Sequence, residues 1–528
     1  MSGSTQITQK TQPTQPTQPH QVHQTTNATG EALDAPVIVV GAGPTGLMLA
    51  GELRLGGAEV IVLDRLAEPV TESRGLGFTA RATEVFDQRG LLERFENAEI
   101  SAKGHFGGIP MDYSVLPGGH FGVRNVEQSE TEAVLAAWAA ELGADIRRGH
   151  RVTAIAQGED EVVVSATGPT GPVVLRCSYL VGADGGRSTV RQAAGFDFPG
   201  HDATCEMFLA DVAGADIRPR FIGERVAGGM VMAARLSDGL DRVIVCERGT
   251  APGERTAPPS YEEVAAAWKR LTGEDIGHGE ARWVSSFTDA SRIVTAYRRG
   301  RVLLAGDAAH IHLPAGGQGL SVGVQDAVNL GWKLAAVVTG RADDALVDTY
   351  HQERHPVGER VLTNTRAQGI LYLSGTEVDP LRAVFGELMA DDEVLKRLAG
   401  MVSGLDVQYE TGGGTHPLLG RRLPPCDLRT ADGTTTGIEL LHSARGLLLD
   451  LDGSGSLQGV AAPWADRVDV VTATLLGEGG DHQLDDVRAL LVRPDGHVAW
   501  VAPDGGDLAA ALTRWFGEPG GDPLPAAA

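Results

Sequence analysis

A short apolar run followed by closely spaced glycines is the feature that most constrains how this chain can fold. Residues 37–65 read VIVVGAGPTGLMLAGELRLGGAEVIVLDR, which predicts a strand, a tight turn, a helix and a second strand. Gly41, Gly43 and Gly46 form a GxGxxG motif. The first glycine permits the turn, the second lets a pyrophosphate approach the backbone, and the third allows close helix packing. Asp64 ends the second strand, where a carboxylate can bind a ribose, so the unit predicts dinucleotide binding.

A second glycine-rich turn occurs late in the chain, within RVLLAGDAAHIHLPAGGQGLSVGVQDAVNLGW at 301–332. Asp307 ends a predicted strand, where its carboxylate can accept a hydrogen bond from a sugar-like hydroxyl. The small residues at 314–320 precede a predicted helix, whose start presents free N–H groups and a positive dipole end. Because the first glycine loop accounts for phosphates, this turn is predicted to hold a second, electron-rich part of the same ligand. Asp184, in YLVGADGGRS, is either another ligand contact or an ordinary Asp-Gly turn.

Composition narrows the class of protein. The 528 residues carry a formal net charge of -24, and no cluster of Lys and Arg suits a nucleic-acid partner. No apolar run reaches the roughly eighteen residues of a membrane helix, so we expect a cytoplasmic protein with no membrane partner. The four cysteines form neither a CxxC pair nor a metal-ligand spacing. Residues 1–34, which contain a polar Gln/Thr/Pro repeat, are expected to form a disordered tail.

Strand patterns divide the rest of the chain. Short alternating apolar runs between about 200 and 300, broken by Gly and Pro, predict an antiparallel sheet inserted between two parts of the first domain. The segment 405–446 is rich in Gly, Pro and Thr, which predicts a linker with coil. Later apolar runs predict a small α/β module with a hairpin around PDG. The predicted fold class is α/β, with a Rossmann-like domain, an inserted antiparallel sheet and a C-terminal α/β domain.

The order of these motifs resembles the FAD-dependent aromatic hydroxylases, the single-component flavoprotein monooxygenases related to p-hydroxybenzoate hydroxylase. Three signatures of that family stand in sequence: GxGxxG with Asp64, the DG segment at Asp184-Gly185, and the GD pair at Gly306-Asp307 followed by Pro314 and GGQG. In detail, TESRGLGFTARATEVFDQRG and GRVLLAGDAAHIHLPAGGQG look like the bacterial oxygenases of aromatic polyketides, particularly the angucycline hydroxylases. The resemblance covers nearly all of 35–520.

The resemblance implies a division of the chain into four parts. These are a disordered tail at 1–34, a discontinuous FAD-binding domain at 35–200 and 290–400, a substrate-binding middle domain at 201–289, and a C-terminal thioredoxin-like domain at 420–528. Cys426 stands alone, so the last domain is expected to lack dithiol chemistry and to be structural or interfacial.

The resemblance also implies roles for particular residues. The glycine motif would hold the FAD pyrophosphate, Asp64 the adenosine ribose and Arg65 the edge of the adenine. Arg74 and Gln128 would lie near the phosphates, Asp307 would bind the ribityl hydroxyls, and Gly319 and Leu320 would offer N–H groups to the flavin. Asp184 belongs to a segment associated with both FAD and the nicotinamide cofactor. The predicted cofactor set is Gly41, Ala42, Gly43, Pro44, Thr45, Gly46, Asp64, Arg65, Arg74, Gln128, Asp184, Gly306, Asp307, Pro314, Gly316, Gly317, Gln318, Gly319 and Leu320.

The implied activity is that of an FAD-dependent monooxygenase that hydroxylates a polycyclic aromatic polyketide of the angucycline type in antibiotic biosynthesis. NAD(P)H and O₂ would be co-substrates. The chain has no second dinucleotide fingerprint, which fits a family in which NAD(P)H visits transiently and reduces a mobile flavin. Oxygen would then form a flavin C4a-hydroperoxide, which the middle sheet would shield from water. A homodimer is compatible with the resemblance.

Two other functions stay open. In a Baeyer-Villiger or oxidative ring-opening enzyme, the same peroxide attacks a carbonyl of a related polyketide. In a non-catalytic flavin-binding protein, the cofactor is only structural. A flavin halogenase is disfavoured because the sequence contains no WxWxIP motif.

Several other residues allow two interpretations. His310 and His312 form an HIH that suggests a metal, but packing beside the glycine loop is favoured over a metal site. Either ordinary packing or a pocket for a flat substrate explains the GHFGG and GGMVMAA segments, which contain His105, Phe106, Met230 and Met232. Family members often place Met-Asn or Leu-Asn after GGQG, whereas this chain has Leu320-Ser321. No catalytic side chain and no metal site are predicted.

Overall fold

The computed structural model describes residues 32–95, 99–236, 239–253, 255, 257–453, 455, 457–476 and 483–520. The predicted tail lies outside the described residues, apart from its last three. The fold is of the mixed α/β class. Within the described residues, no helix combines the length and the apolar character needed to cross a membrane.

The strands are β1 (Ala35–Val40), β2 (Val60–Leu63), β3 (Phe78–Thr79), β4 (Ile100–Ser101), β5 (Lys103–Phe106), β6 (Ile109–Asp112), β7 (Val123–Arg124), β8 (Asp145–Arg147), β9 (Arg151–Gln157), β10 (Val162–Gly168), β11 (Gly171–Gly182), β12 (Gly200–His201), β13 (Glu206–Ala213), β14 (Arg220–Val226), β15 (Gly229–Arg235), β16 (Asp241–Glu247), β17 (Glu280–Thr288), β18 (Ser291–Ile293), β19 (Arg298–Arg299), β20 (Val302–Leu304), β21 (His310–Ile311), β22 (Asp427–Thr430), β23 (Gly433–Thr436), β24 (Gly446–Asp450), β25 (Val468–Thr472), β26 (Thr474–Leu476), β27 (Ala489–Val492) and β28 (Val498–Ala502).

The α-helices are α1 (Pro44–Leu55), α2 (Ala80–Asp87), α3 (Gln128–Glu141), α4 (Thr189–Ala193), α5 (Tyr261–Thr272), α6 (Gln318–Val338), α7 (Ala345–Leu373), α8 (Asp379–Leu388), α9 (Asp392–Ser403), α10 (Leu457–Ala461) and α11 (Leu508–Phe516).

An eight-stranded sheet forms the framework of the first region. Its main path runs β19-β20-β11-β1-β2-β8, and the strands from β20 to β8 are parallel, while β9 and β10 extend from β11. Strands β1 and β2 are buried along their whole length, as expected for parallel strands covered on both faces. The carboxyl ends of β1, β2, β11 and β20 meet at one edge of the sheet. That edge gathers the turns that follow these strands.

A five-stranded antiparallel sheet, in the order β14-β15-β16-β13-β17, forms a second region. The antiparallel strands predicted between 200 and 300 are therefore present. Val231 and Val245 point to one face, where they join the apolar cluster around Trp268 of α5. Met230 and Met207 lie in a different cluster, as the two-residue period of a strand requires.

The C-terminal module contains the sheet β25-β24-β27-β28 and the closing helix α11. The predicted strands, hairpin and closing helix are confirmed here. The prediction of coil across 405–446 is wrong for β22 and β23, which form a hairpin and pair with β26. Gly433, at a φ of 130°, follows the turn between them, and β-branched threonines favour the extended backbone on either side.

The turn between β27 and β28, residues 493–497, docks the C-terminal module on the first region. The Arg493 guanidinium donates to both carboxylate oxygens of Glu353 in α7, at 2.6 and 2.9 Å. The backbone carbonyl of Asp495 accepts a hydrogen bond from Arg81 of α2 at 2.8 Å. Trp332 of α6 is buried against Trp515 and Phe516 of α11. Ion pairs and aromatic packing therefore join the two regions.

Candidate cofactor site

A cleft of about 590 Å³ opens where the parallel strands end. This volume lies within the roughly 300–1,000 Å³ typical of small-molecule sites. It brings together parts of the chain that are far apart in sequence. The predicted cofactor residues that line it are Gly41, Gly43, Pro44, Thr45, Asp64, Arg65, Gln128, Asp184, Asp307, Gly319 and Leu320.

The three glycines of the first loop have different surroundings. At Gly41, φ is 109° and an added Cβ would lie 2.3 Å from the carbonyl oxygen of Ala183. At Gly46, an added Cβ would lie 1.9 Å from the carbonyl oxygen of Gly41. At Gly43, an added Cβ would meet no atom within 4 Å, so the open cleft lies over this residue. The packing thus needs the first and third glycines, while the second leaves room for a ligand.

Two helices begin at this cleft without a side-chain cap. The N-cap of α1 is Gly43 and that of α6 is Gly317, and neither has a side chain that could accept a hydrogen bond from the N–H groups of the first turn. Gly316 and Gly317 have φ values of 73° and 66°, two successive left-handed residues that favour glycine. The N–H groups of both first turns, together with the positive dipole ends, therefore suit an anionic ligand.

Two carboxylates face the cleft from different strand ends. Asp64 accepts N–H hydrogen bonds from Ala42 and Leu66, both at 2.8 Å, which hold its carboxylate in place. Asp307 is exposed, and its carboxylate has no hydrogen-bond partner among the described residues. Both groups can accept further hydrogen bonds from hydroxyls of a ligand.

Three arginines give the rim of the cleft positive charge in an otherwise acidic protein. Arg65, Arg151 and Arg187 are exposed and line the cleft. In the part of the chain that the structure describes, their guanidinium groups have no ion-pair partner. Arg151 and its neighbour His150 were not predicted, because they enter from β9 and carry no recognisable motif. Arg187 follows the DGG turn, and its positive charge close to Asp184 could have identified it as a cleft residue from the sequence.

Asp184 lines the cleft, but its carboxylate accepts hydrogen bonds from residues of the turn that follows it. It accepts hydrogen bonds from the N–H groups of Thr189 and Val190, at 2.6 and 3.1 Å, and from the Ser188 hydroxyl. Burial raises the pKa of this carboxyl, while these hydrogen bonds act in the opposite direction. The arrangement favours the Asp-Gly-turn interpretation, and a direct cofactor contact from Asp184 stays a prediction.

The remaining predicted residues do not line the cleft: Ala42, Gly46, Arg74, Gly306, Pro314, Gly316, Gly317 and Gln318. The side chain of Gln318 turns inward, where it donates to Ala315 and accepts from Asn364. Arg74 is exposed, and its carbonyl accepts a hydrogen bond from Arg242 of the antiparallel sheet at 3.4 Å. Any contact that Gln318 makes with a cofactor must come from its backbone.

Ser321, where related chains often carry Asn, is buried and faces the protein interior. Its hydroxyl accepts a hydrogen bond from the N–H of Thr79, the N-cap residue of α2, at 2.9 Å. The preceding residue, Leu320, lines the cleft. Ser321 therefore connects the start of α6 to α2 instead of reaching the ligand.

The histidines of HIH have structural partners. His310 is buried, and its Nε2 lies 2.8 Å from the carboxylate of Asp326. His312 Nδ1 lies 2.8 Å from the Leu313 carbonyl, and burial lowers the pKa of His312. Among the described residues, no cluster of three or more potential metal ligands occurs. Both histidines pack beside the glycine loop.

An apolar face of the antiparallel sheet lies against the second glycine turn. Met230, Met207, Cys205 and Cys246 form one buried cluster with Leu313, Ala315 and Tyr372, and Met232 packs at its edge. The sequence spacing of the cysteines did not reveal that Cys205 and Cys246 share this cluster. The His105 ring packs against the Tyr372 ring at a tilt of 34°, and burial, with nearby Arg382, lowers the pKa of His105 to about 4. Phe106 belongs to a separate cluster with Phe385 and packs internally.

These features fit FAD. Two uncapped helix starts and a glycine with open space suit a pyrophosphate and an electron-rich ring, while two carboxylates suit the ribose and ribityl hydroxyls. These features belong to the cleft as a whole, and each individual contact between a cleft residue and FAD stays a prediction.

Comparison with known proteins gives an independent result. The FAD-binding domain family matches residues 34–365, and the family of aromatic-ring hydroxylase C-terminal regions matches residues 416–519. The chain is 46% identical over 499 residues to 12-dehydrotetracycline 5-monooxygenase/anhydrotetracycline 6-monooxygenase of Streptomyces rimosus, a match that covers 92% of this chain and 99% of the relative.

Two solved structures are also similar. CabE, an aromatic hydroxylase from angucycline biosynthesis, is 61% identical with a TM-score of 0.90. BexE, studied for oxidation during BE-7585A biosynthesis, is 58% identical with a TM-score of 0.88. Each match covers 92% of this chain and 100% of the other chain.

Proposed function

The chain belongs to the FAD-dependent aromatic-ring hydroxylases, and from that membership we propose that it hydroxylates a polycyclic aromatic polyketide of the angucycline type. The protein is an FAD-dependent monooxygenase. Bound FAD supplies the redox chemistry, in which NAD(P)H is the reductant and O₂ is the source of the inserted oxygen atom. The observation that carries the proposal is the apolar face of the antiparallel sheet, which lies against the turn at the start of α6.

The residues of the cleft would bind and orient the cofactor. The first turns of α1 and α6 offer N–H groups to its two ends, and Asp64 and Asp307 accept hydrogen bonds from its hydroxyls. A positive helix end at α6 favours negative charge on the flavin ring, which helps to hold the ring in its reduced form. The set of contacts predicted from the sequence is part of this proposal.

The cluster formed by Met207, Met230, Cys246, Leu313 and Ala315 is packed and buried, so it would form the apolar base of a substrate site that opens at its partly buried edge, where Met232 lies. These side chains are apolar or polarisable, and methionine adapts its shape to a flat aromatic surface. Residues Leu313 and Ala315 immediately precede α6, so a substrate here would lie next to the start of that helix. An apolar enclosure also excludes water from the reacting groups.

The finer architecture belongs to the same proposal. We assign FAD binding to 35–200 and 290–400 and substrate binding to the inserted sheet at 201–289. Residues 420–528 are assigned a thioredoxin-like domain without redox cysteines, with a structural or interfacial role. A cytoplasmic location and a homodimer complete it.

The test is an assay of the purified, FAD-loaded protein with NADPH or NADH under air. An angucycline-type polyketide and a single-ring phenol would be compared as substrates. We expect the polyketide to stimulate NAD(P)H consumption and to yield a product with one added oxygen atom. NMR would place that atom in a new phenolic hydroxyl group.

Two results would contradict the proposal. An ester or lactone product would assign the protein to the Baeyer-Villiger or ring-opening reactions. A yellow, FAD-loaded protein whose NAD(P)H consumption no polyketide stimulates would favour a non-catalytic flavin-binding protein. A variant such as Gly43→Ala, which should bind FAD poorly, serves as the control for background oxidation.

A further inference from the structure

Asp326 of α6 is a fully buried carboxylate at which three donors converge. Its Oδ2 accepts hydrogen bonds from the N–H of Gly306 at 3.1 Å and from Nε2 of His310 at 2.8 Å. Its Oδ1 accepts from Nε of Arg354 at 2.7 Å. Burial alone would raise the pKa of Asp326, but Arg354 and His310 outweigh burial and lower it. The carboxylate therefore stays charged and ties α6 to both ends of the turn at 306–310.

That turn presents Asp307 to the cofactor cleft. Gly306 has a φ of 61°, a left-handed conformation in which an added Cβ would lie 2.7 Å from Oγ1 of Thr45. Because the Asp307 carboxylate has no hydrogen-bond partner among the described residues, the backbone of the turn sets its direction. Asp326 holds that backbone at its first residue, through Gly306, and at its last, through the His310 ring.

The support extends from Asp326 toward the C-terminal module. Arg354 of α7 is completely buried, and its Nη1 donates to the Tyr409 hydroxyl at 3.1 Å, while its Nη2 donates to the Val322 carbonyl at 3.2 Å. The Tyr409 ring packs on the His497 ring, with centroids 4.3 Å apart. The Arg493 guanidinium lies 5.4 Å from the centroid of the same Tyr409 ring. The docking turn of the module thus contacts the side chain of Tyr409, which two hydrogen bonds connect, through Arg354, to Asp326.

We propose that Asp326 is a positioning residue for FAD, that it acts through the Gly306–His310 turn on Asp307, and that Arg354 and Tyr409 link this support to the C-terminal module. Docking of the module consequently strengthens cofactor binding. The proposal rests on the FAD dependence of the family and not on the polyketide substrate.

A second buried ion pair on the same two helices provides a matched control. Lys333 of α6 donates to Glu353 of α7 and to Asn329, both at 2.8 Å. Lys333 is as buried as Asp326 but has no contact with the turn that carries Asp307. If Asp326 only joined α6 to α7, loss of either charge would affect the cofactor equally.

The experiment measures FAD affinity by quenching of flavin fluorescence, with the purified full-length apoprotein and no substrate. Asp326→Asn should raise the Kd for FAD by about ten- to hundredfold, because charged hydrogen bonds that hold the turn are lost. Tyr409→Phe, which removes one hydroxyl beside Arg354, should raise it by about threefold. Lys333→Met leaves Glu353 paired with Arg493, so the C-terminal module stays docked. The variant should lower the melting temperature with less than about a twofold change in Kd.

Double variants with Asp307→Ala separate positioning from general stability. If Asp326 acts through Asp307, then Asp326→Asn and Tyr409→Phe should each change the Kd little once Asp307 is already Ala. Full additivity with Asp307→Ala would overturn the proposal, as would an unchanged Kd in Asp326→Asn. If Asp326→Asn does not fold, the same comparison is made with Tyr409→Phe, Asp307→Ala and their double variant. Additive changes in the Kd for FAD would again overturn the proposal. Polyketide turnover is absent from these measurements, so they stand apart from the test of the proposed function.

Discussion

Two sets of charged side chains in this protein are arranged in opposite ways. At the docking surface of the C-terminal module, Arg493 is buried and paired with both Glu353 and Asp495. At the rim of the cofactor cleft, Arg65 and Arg187 are exposed and have no ion-pair partner among the described residues. Arginine thus forms buried ion pairs at the docking surface, whereas at the rim of the cleft it faces an open site.

The difference follows from the cost of removing charge from water. A buried guanidinium loses its hydration and is tolerated only where other acceptors replace the lost water, as the carboxylates of Glu353 and Asp495 do around Arg493. An exposed guanidinium keeps its hydration and needs no partner, so it remains available to a ligand anion. We therefore expect substitutions at the docking surface to alter stability more than FAD affinity, and substitutions at the rim to alter FAD affinity more than stability.

The largest effect is expected for Arg493→Met. The substitution removes the positive charge that pairs with the buried carboxylates of Glu353 and Asp495. Because these carboxylates stay buried, the free energy of unfolding should fall by about 3–5 kcal/mol. Urea denaturation of the holoprotein measures this value. Arg65→Met is the control and should change it by less than about 1 kcal/mol, the amount that its weaker FAD binding accounts for. Equal losses in the two variants would remove the distinction between the two regions.

Gly43→Ala should separate binding from folding within the glycine loop. The added methyl group meets no protein atom within 4 Å and stands in the cleft, so we expect normal folding and a Kd for FAD raised about ten- to hundredfold. Gly46→Ala is the matched control, since its methyl group would collide with the Gly41 carbonyl and destabilise the fold. FAD titration and thermal melting should therefore rank the two variants in opposite orders.

A smaller effect on FAD affinity is expected at the rim of the cofactor cleft. Arg65→Met should raise the Kd for FAD by about three- to fivefold at low salt, because an exposed ion pair contributes at most about 1 kcal/mol. The difference from the parent should shrink as ionic strength rises, since salt screens exposed charges. Arg94→Met, which removes a surface arginine paired with Glu141 away from the cleft, is the control. A salt-independent loss would point to a packing role for Arg65 instead.

A pH dependence of stability is also expected at the docking turn. Burial lowers the pKa of His497 to about 4, despite the neighbouring Asp495 carboxylate. In the unfolded chain a histidine titrates near 6.5, so between these values the unfolded chain binds a proton that the folded protein does not. Stability should therefore fall as the pH drops from about 6.5 toward 4.

His497→Gln tests this pH dependence. The variant should show a weaker loss of stability across that range in urea denaturation. Substitution of the exposed His278 by Gln should leave the slope unchanged. An identical slope in His497→Gln would show that other groups control the acid response.

Local backbone chemistry explains what the sequence could predict. Gly41, Gly46 and Gly316 occupy conformations or contacts that exclude a side chain, and such positions leave a recognisable pattern in the sequence. Buried parallel strands likewise appear as apolar runs. The family was recognisable because these local requirements occur in a fixed order.

Pairing between distant side chains explains what the sequence could not predict. Nothing near Asp326 indicates that Arg354, Gly306 and His310 would converge on it. Arg151 reaches the cleft only because β10 and β11 carry β9 to the sheet. The hairpin formed by β22 and β23 was mistaken for coil because its stabilising partner, β26, lies about forty residues further on.

The connectivity of the parallel sheet has a consequence for synthesis of the protein. Strand β11 pairs with β1 on one side and with β20 on the other, and the entire antiparallel sheet lies between β11 and β20 in the chain. A ribosome therefore releases all five antiparallel strands before the strand that brings Asp307. Contacts within that insertion are closer in sequence and can form early, whereas the FAD cleft can be completed only after β20 emerges. FAD can therefore bind only late in the synthesis of the chain.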